Sequence, residues 1–319
     1  MSAFVKTLIV APSGGDFATI RQAVTYFVAY SIGGVVIVEE GTYDFDNTGN
    51  KITVDIPSNV TIIGRGAVKL NVTANIPVFR NNDSSNGNER IVISGFKIEI
   101  NYSGGAYTIN VIEMTRVCNS VMENLTISCI SNGGVTDGSA IKFEGGSNNK
   151  CKGNIVSQCK IMDFGYSSNY GRGIYFKNYC EKNMIHNNYL KKCYYNIHLE
   201  SAAAANTVVR NCISDNIVTE ATHSGIYVQK SNETSVVGNE CSDNDLQGIL
   251  IGESMRCTVQ GNVCKGNESE GIRVLGSNDQ NYYAQYIAPV NNYLNSIGQK
   301  MPKHVRYDGF NSDVYSPEQ

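Results

Sequence analysis

The feature that most constrains this chain is a repeat. From Cys118 onward six segments align: NSVMENLTISC (119–129), NKCKGNIVSQC (149–159), NMIHNNYLKKC (183–193), NTVVRNCISDN (206–216), TSVVGNECSDN (234–244) and CTVQGNVCKGN (257–267). Each carries Asn at the same point, giving the column Asn124, Asn154, Asn188, Asn211, Asn239 and Asn262. Three residues earlier stands an apolar residue, Val121, Cys151, Ile185, Val208, Val236 or Val259. Five residues later the column is Cys129, Cys159 and Cys193, then Asn216, Asn244 and Asn267. A second block follows each first block: SAIKFEG, RGIYFKN, YNIHLES, SGIYVQK, QGILIGE and EGIRVLG. Its apolar pairs, from Ile141/Phe143 to Ile272/Val274, alternate with polar residues as a half-buried strand does. The shortest steps are 23 residues, from Gly225 to Gly248 to Gly271.

Short strands at this period, separated by Asn and Gly, describe a β-solenoid. Each coil adds one strand to each of several parallel sheets, and equivalent residues stack ~4.8 Å apart. A column of Asn then has a structural purpose. Asn tolerates left-handed backbone geometry, and stacked amides can bond along the column. The stacked cysteines point in parallel, farther apart than the ~3.8 Å between Cβ atoms that a disulfide needs.

Composition narrows the function. The 319 residues include 37 Asn, 31 Gly and no Trp, so tight turns are many and a helix-rich enzyme is excluded. A net charge of -3 lacks the basic footprint of a nucleic-acid binder. No apolar run is long enough for a membrane span. All ten cysteines lie between Cys118 and Cys264 without a CxxC, which favours packed free thiols over zinc. No signal peptide precedes Thr7: either export does not use the Sec route or the chain was trimmed.

The ends differ from the middle. Residues 1–34 hold a first strand and a helix from about Phe17 to Ala29, capped by Asp16. Its Ile20, Ala23, Val24, Phe27 and Val28 form one apolar face, suited to covering the solenoid's open end. Residues 35–275 are the solenoid. Residues 276–319 leave the repeat, are rich in Tyr, and read as an irregular cap or an inter-subunit contact.

The segments APSGGDFATIRQAVTYF, GGVVIVEEGTYDF and IPSNVTIIGRG resemble the opening of the pectin-lyase-like, right-handed parallel β-helix superfamily. The later coils resemble the generic repeats of the same superfamily, so the likeness covers about residues 7–275. It implies an all-β fold, one right-handed parallel β-helix of about nine or ten coils with an N-terminal capping helix. The superfamily includes pectate lyases, polygalacturonases, epimerases, phage tailspikes and non-catalytic surface proteins, and fold does not choose among them.

The insertions locate a candidate site. Connections 131–139, 163–172 and 218–224 leave the solenoid at one corner and should form one wall. Beyond it, one outward column reads Asn110, Lys142, Tyr175, His198, Tyr227, Leu250 and Arg273; the next reads Glu144, Lys177, Glu200 and Gln229. The loops add Asp137, Asp163, Tyr166, Tyr170, Arg172, Glu220 and His223. Rings for sugar faces and charges for hydroxyls or carboxylates make a glycan-binding set of Lys142, Tyr166, Tyr170, Arg172, Tyr175, Lys177, His198, Tyr227 and Arg273. The alternative is a solvated sheet face with ordinary alternating charges.

Catalysis would draw on Asp137, Asp163, Glu144, Glu200, Glu220 and His223. Glycosidases set two carboxylates ~5 Å or ~6.5–9.5 Å apart; Glu144 and Glu200, two rungs apart, fall near ~9.6 Å. Polygalacturonase motifs are matched only in part, by Thr136-Asp137-Gly138, His223-Ser224-Gly225 and Ile272-Arg273-Val274. For Ca2+ the nearest thing to a cluster is Asp243, Asp245, Glu268 and Glu270, in turns, so no cofactor is expected. His186, His198, His223 and His304 are too scattered for a metal, although His198 and His223 fall in adjacent coils.

The expectation is a polysaccharide-binding protein of tailspike or surface type, viral and homotrimeric, working outside the cell or on a virion. A trimer would bury Leu250 and the Tyr-rich tail. Two alternatives stay open: a polysaccharide lyase, glycoside hydrolase or epimerase, and a purely structural β-helix.

Overall fold

The computed structural model describes residues 6–102, 108–130, 137–164, 170–202 and 207–275, with the backbone of three further strands, Ala288–Val290, Tyr293–Asn295 and Val305–Asp308. The chain is a right-handed parallel β-helix with one helix before it. A ten-stranded sheet runs from Val54–Ile56 to Val305–Asp308, one strand per coil. Two other faces join into one 19-stranded network. They join because the long strands Gly34–Phe45 and Val60–Val72 bend across the corner between them. No helix among the described residues is long and apolar enough to cross a membrane.

The alternating pairs of the second block build the core of the ten-stranded sheet. Ile141, Ile174, Ile197, Ile226, Ile249 and Ile272 lie in register, as do Phe143, Phe176, Leu199, Val228, Ile251 and Val274. All are buried, each contributing about 1.5–3 kcal/mol of hydrophobic stabilisation.

The asparagines correct the expected register. They form two ladders and the start of a third, not one column. Asn154 donates to Asn183 and Asn183 to Asn211, both at 3.0 Å. Asn188 donates to Asn216 and Asn216 to Asn239 at 2.9 Å, and Asn239 to Asn262 at 3.0 Å. Asn244 and Asn267 start a third, at 2.7 Å. The segments slipped because two turns per coil carry Asn, five residues apart, as in Asn183/Asn188 and Asn211/Asn216. Asn124 belongs to none of the three; it is exposed and itself left-handed, at φ 51°.

The left-handed geometry also sits elsewhere. It falls on the residue before each ladder Asn: Gly153, Lys182, Asn187, Arg210, Asp215, Gly238 and Gly261 have φ of 55–67°. That residue turns the chain, and the next amide restores the lost pairing. Asn239 Nδ2 also donates to Ile213 O at 3.0 Å, and its Oδ1 accepts the Asn216 N–H at 3.1 Å.

The helix runs Ile20–Tyr30 and is capped by Thr19, whose hydroxyl accepts the Gln22 N–H at 3.3 Å. Asp16, the expected cap, instead accepts the Ile9 N–H at 2.8 Å. Ile20, Ala23, Val24 and Phe27 are buried, whereas Val28 is 40% exposed. Phe27 packs so closely on Gly34 that a Cβ there would meet its ring at 2.4 Å. All ten cysteines are free thiols, eight of them buried. Burial pushes the Cys159 and Cys257 thiols up to about 12.

Replacing Asn239 by Ala strands the Asn216 N–H and the Ile213 carbonyl. We expect a loss of about 3 kcal/mol in chemical unfolding, against about 1 kcal/mol for Asn124→Ala, whose cost comes only from its left-handed backbone. Equal losses for the two variants would contradict the ladder register.

Candidate functional site

The described ends of the three insertions stack at one corner. Arg172 N–H donates to Gly138 O at 2.8 Å, Tyr194 N–H to Gly171 O at 2.8 Å, and His223 N–H to Tyr194 O at 3.1 Å. From this corner run the strands Ser139–Glu144, Arg172–Lys177, Tyr195–Glu200 and Ile226–Gln229. Alternation breaks where they begin. Gly173 and Ile174 are both buried, as are Asn196 and Ile197. Gly173 is needed there, since a Cβ would lie 2.4 Å from the Asn196 carbonyl oxygen. The break brings Arg172 and Tyr195 to the same outer side as Tyr175 and His198.

The result is an aromatic cluster centred on His198. Tyr175 stacks on it from one rung at 5.1 Å and Tyr227 from the other at 4.9 Å, with interplanar angles of 14° and 3°. Tyr195 stands 4.7 Å from His198 and 4.9 Å from His223. Tyr194 links Tyr170 at 4.9 Å to His223 at 5.2 Å. Each contact of this kind is worth about 0.5–1.5 kcal/mol beyond area burial. The expected groove differs from this in depth. Tyr175 and His198 are 5% and 3% exposed, so their faces are spent on each other and not offered to a sugar. The accessible rings are Tyr170, 52% exposed, with the half-buried Tyr194, Tyr227 and His223.

Arg172 closes the cluster. Its Nε donates to His198 Nδ1 at 3.1 Å and its Nη1 to Asp137 Oδ1 at 2.7 Å, while its guanidinium lies 4.3 Å from the Tyr175 ring centre. Burial, then the Arg172 charge, hold the His198 pKa well below the usual histidine range, with Gln229 a weaker opposing influence. Its Nε2 is buried without a hydrogen-bond partner. Tyr175 donates to Glu200 Oε2. Burial and that bond push the Tyr175 pKa up, and burial does the same at Tyr195 and Tyr227. The cluster is therefore electrically quiet at neutral pH apart from Arg172 and its carboxylates.

A charge ladder flanks the rings. Lys142 Nζ lies 2.8 Å from Glu144 and 3.4 Å from Glu113, and Lys177 lies 3.9 Å from Glu144. Burial opposes the Lys142 charge, but Glu144 and Glu113 outweigh it and raise its pKa. Lys177 sits between Glu144 and Glu200 in register. Lys142 is opposite Glu113; Asn110, expected there, is opposite Ser139.

Other candidates lie apart. Asp163 and Glu220 are left-handed turn residues, at φ 65° and 51°, the first exposed and the second half-buried. Glu220 pairs with Lys191 at 2.7 Å and Lys192 at 3.7 Å. Arg273 is two rungs beyond Tyr227, past Leu250. Leu250 is only 5% exposed within one chain and needs no trimer to bury it. Tyr166 and most of 276–319 lie outside the described residues. Among the described residues no three His, Cys, Asp or Glu converge to hold a metal ion. Sequence reasoning passed over Tyr194, Tyr195 and Glu113. Tyr195 was legible as the residue aligned with Arg172 at the head of the second block.

Comparison with known proteins bears on the fold. Residues 212–293, about a quarter of the chain, match a family described as periplasmic copper-binding protein (NosD). No curated protein matches the chain. A tailspike protein double mutant of E. coli bacteriophage HK620 superposes with TM-score 0.68 at 16% identity, over 90% of this chain and 55% of that one. Another form of that tailspike, in complex with a pentasaccharide, gives 0.64 at 14% identity over the same shares. ORF18 of Geobacillus virus E2 gives 0.60 at 14% identity, over 93% of this chain and 62% of that one. The chain thus spans little more than half the length of the tailspikes it resembles. It shares with them the fold, a right-handed parallel β-helix.

The depressed His198 pKa sets a pH dependence. The unfolded ring gains a proton below its ordinary value of about 6.5 and the folded ring does not, so stability rises with pH through that region and falls on acidification. Unfolding midpoints should drop between about pH 7 and 5, with His198 contributing up to about 1.4 kcal/mol per pH unit. A His198→Gln variant with an undiminished slope would refute this assignment.

Proposed function

We propose that this chain is a polysaccharide-binding β-helix of tailspike or surface type, gripping an extracellular glycan along a ledge of Tyr170, Tyr194 and His223. The observation that carries this reading is the ring cluster itself. Its buried half, Tyr175, His198 and Tyr195, makes a rigid base. Its open half presents ring faces at one corner, beside the Arg172–Asp137 pair. Pyranose rings have apolar C–H faces and polar rims, and Tyr offers the matching combination. A rigid ledge loses little entropy on binding. The pentasaccharide-bound tailspike of similar fold supports the same reading. A homotrimer displayed outside the cell or on a virion belongs with it, although Leu250 no longer argues for the trimer.

One observation favours an acid–base enzyme such as a lyase or epimerase: Arg172, His198 and Tyr175 are in mutual contact. Against it, Tyr175 is held protonated by Glu200, and Arg172 occupies the His198 lone pair. Two-carboxylate hydrolysis needs one carboxyl that keeps its proton. Asp137, Glu144 and Glu220 are each bonded to cations instead.

A panel of bacterial surface polysaccharides on an array should yield at least one partner. Tyr170→Ala and Tyr194→Ala should each weaken it about tenfold. Silence across the panel removes the reading; release of unsaturated uronates or new reducing ends replaces it with the enzymatic one. Sedimentation at micromolar concentration should show three chains together, and a monomer would remove the trimer.

A further inference from the structure

A line of polar side chains leads away from His223 along the solenoid, and the function above does not use it. His223 Nδ1 lies 2.9 Å from Ser224 Oγ. Ser224 is fully buried, and its Oγ lies 3.1 Å from Gln247 Oε1 in the next coil. Gln247 is 3% exposed and sets its Nε2 2.9 Å from Glu270 Oε2, one coil farther. Ser269 Oγ donates to the same carboxylate oxygen at 2.6 Å.

The polarity of this line is fixed from its far end. An ionised carboxylate only accepts hydrogen bonds. Gln247 must therefore turn its amide nitrogen to Glu270 and its oxygen to Ser224. The Ser224 hydroxyl then donates to Gln247 and offers only lone pairs to His223. Nδ1 of His223 carries the proton, and Nε2 is left as an acceptor on the ledge. Burial disfavours the Glu270 charge, but Ser269, Gln247 and Arg273 outweigh it and lower its pKa. Burial lowers the His223 pKa, which keeps the ring neutral. His198 is set the opposite way. Arg172 can only donate, so His198 Nδ1 accepts and its proton is on Nε2.

We propose that Glu270 is a positioning residue that, through Gln247 and Ser224, holds His223 in the Nδ1–H tautomer so that Nε2 accepts a hydroxyl hydrogen bond from a bound sugar. The ligand half of this rests on the glycan-binding reading; the tautomer half does not. Such wiring gives the ledge a fixed acceptor, favouring a sugar hydroxyl over a group that only accepts.

Long-range proton–nitrogen spectra of the full chain, with 15N-labelled histidine, test it above neutral pH. His223→Gln identifies the His223 signals. The native chain should show His223 protonated at Nδ1 and bare at Nε2, with His198 reversed. Glu270→Gln can donate to Gln247, lets the line turn round, and should move the His223 proton toward Nε2. Glu270→Asp, still an acceptor, should keep it at Nδ1. Ser224→Ala cuts the line and should give mixed tautomers, which serves if Glu270→Gln fails to fold. Affinity for the array's glycan should fall about three- to tenfold in Glu270→Gln. Native His223 protonated at Nε2, or nitrogen signals unmoved by Glu270→Gln and Ser224→Ala, overturns the proposal. If no glycan binds, the acceptor role is lost, while the nitrogen signals still decide the tautomer.

Discussion

Everything in this molecule depends on parallel rungs held in vertical register by hydrogen bonds. The strands supply most of them, but strands end at corners, where backbone groups lose their partners. The Asn ladders repair those corners. Each amide gives one bond along the column and one to the backbone of a neighbouring rung, while its oxygen takes the next N–H. Asp lacks the donor, and Gln has one more methylene to place. The corner thus demands this side chain, and the abundance of Asn follows from geometry.

With the rungs fixed, the outer face becomes a place where chemistry is arranged by stacking. Residues 25 or so apart meet as neighbours, as when Tyr175 reaches Glu200. The same registration buries what ordinary alternation would expose. His198 is sandwiched by rings from both adjacent coils and sealed by Arg172, so a residue on the outer side of a sheet behaves as a core residue. Its orphaned Nε2 costs about 1–3 kcal/mol, which the stacking and the Arg172 bond must offset.

The fold was legible because period-two alternation and a 23-residue step leave few other architectures. The inward columns from Ile141 and Phe143 onward came out in the expected order. What sequence could not resolve was which of two Asn turns each segment matched, since both carry the same residue five positions apart. The site was half legible. Tyr175, His198 and Tyr227 fall in one column as expected, but their burial could not be read. It depends on the break at Gly173 and Asn196, which swings Arg172 and Tyr195 over the face. Asp163 and Glu220 drew attention as loop carboxylates, and their left-handed backbone shows them to be turn formers.

Because the short coils repeat at 23 residues and each contacts only its neighbours, length is an independent variable of this architecture. Removing or duplicating one such unit among residues 207–275 would shorten or extend the cylinder by a single step. Tyr170 and Tyr194 grow from earlier coils, whereas His223 and the line behind it lie within this stretch, so the hydrophobic part of the ledge is separable from a change of reach and its acceptor is not.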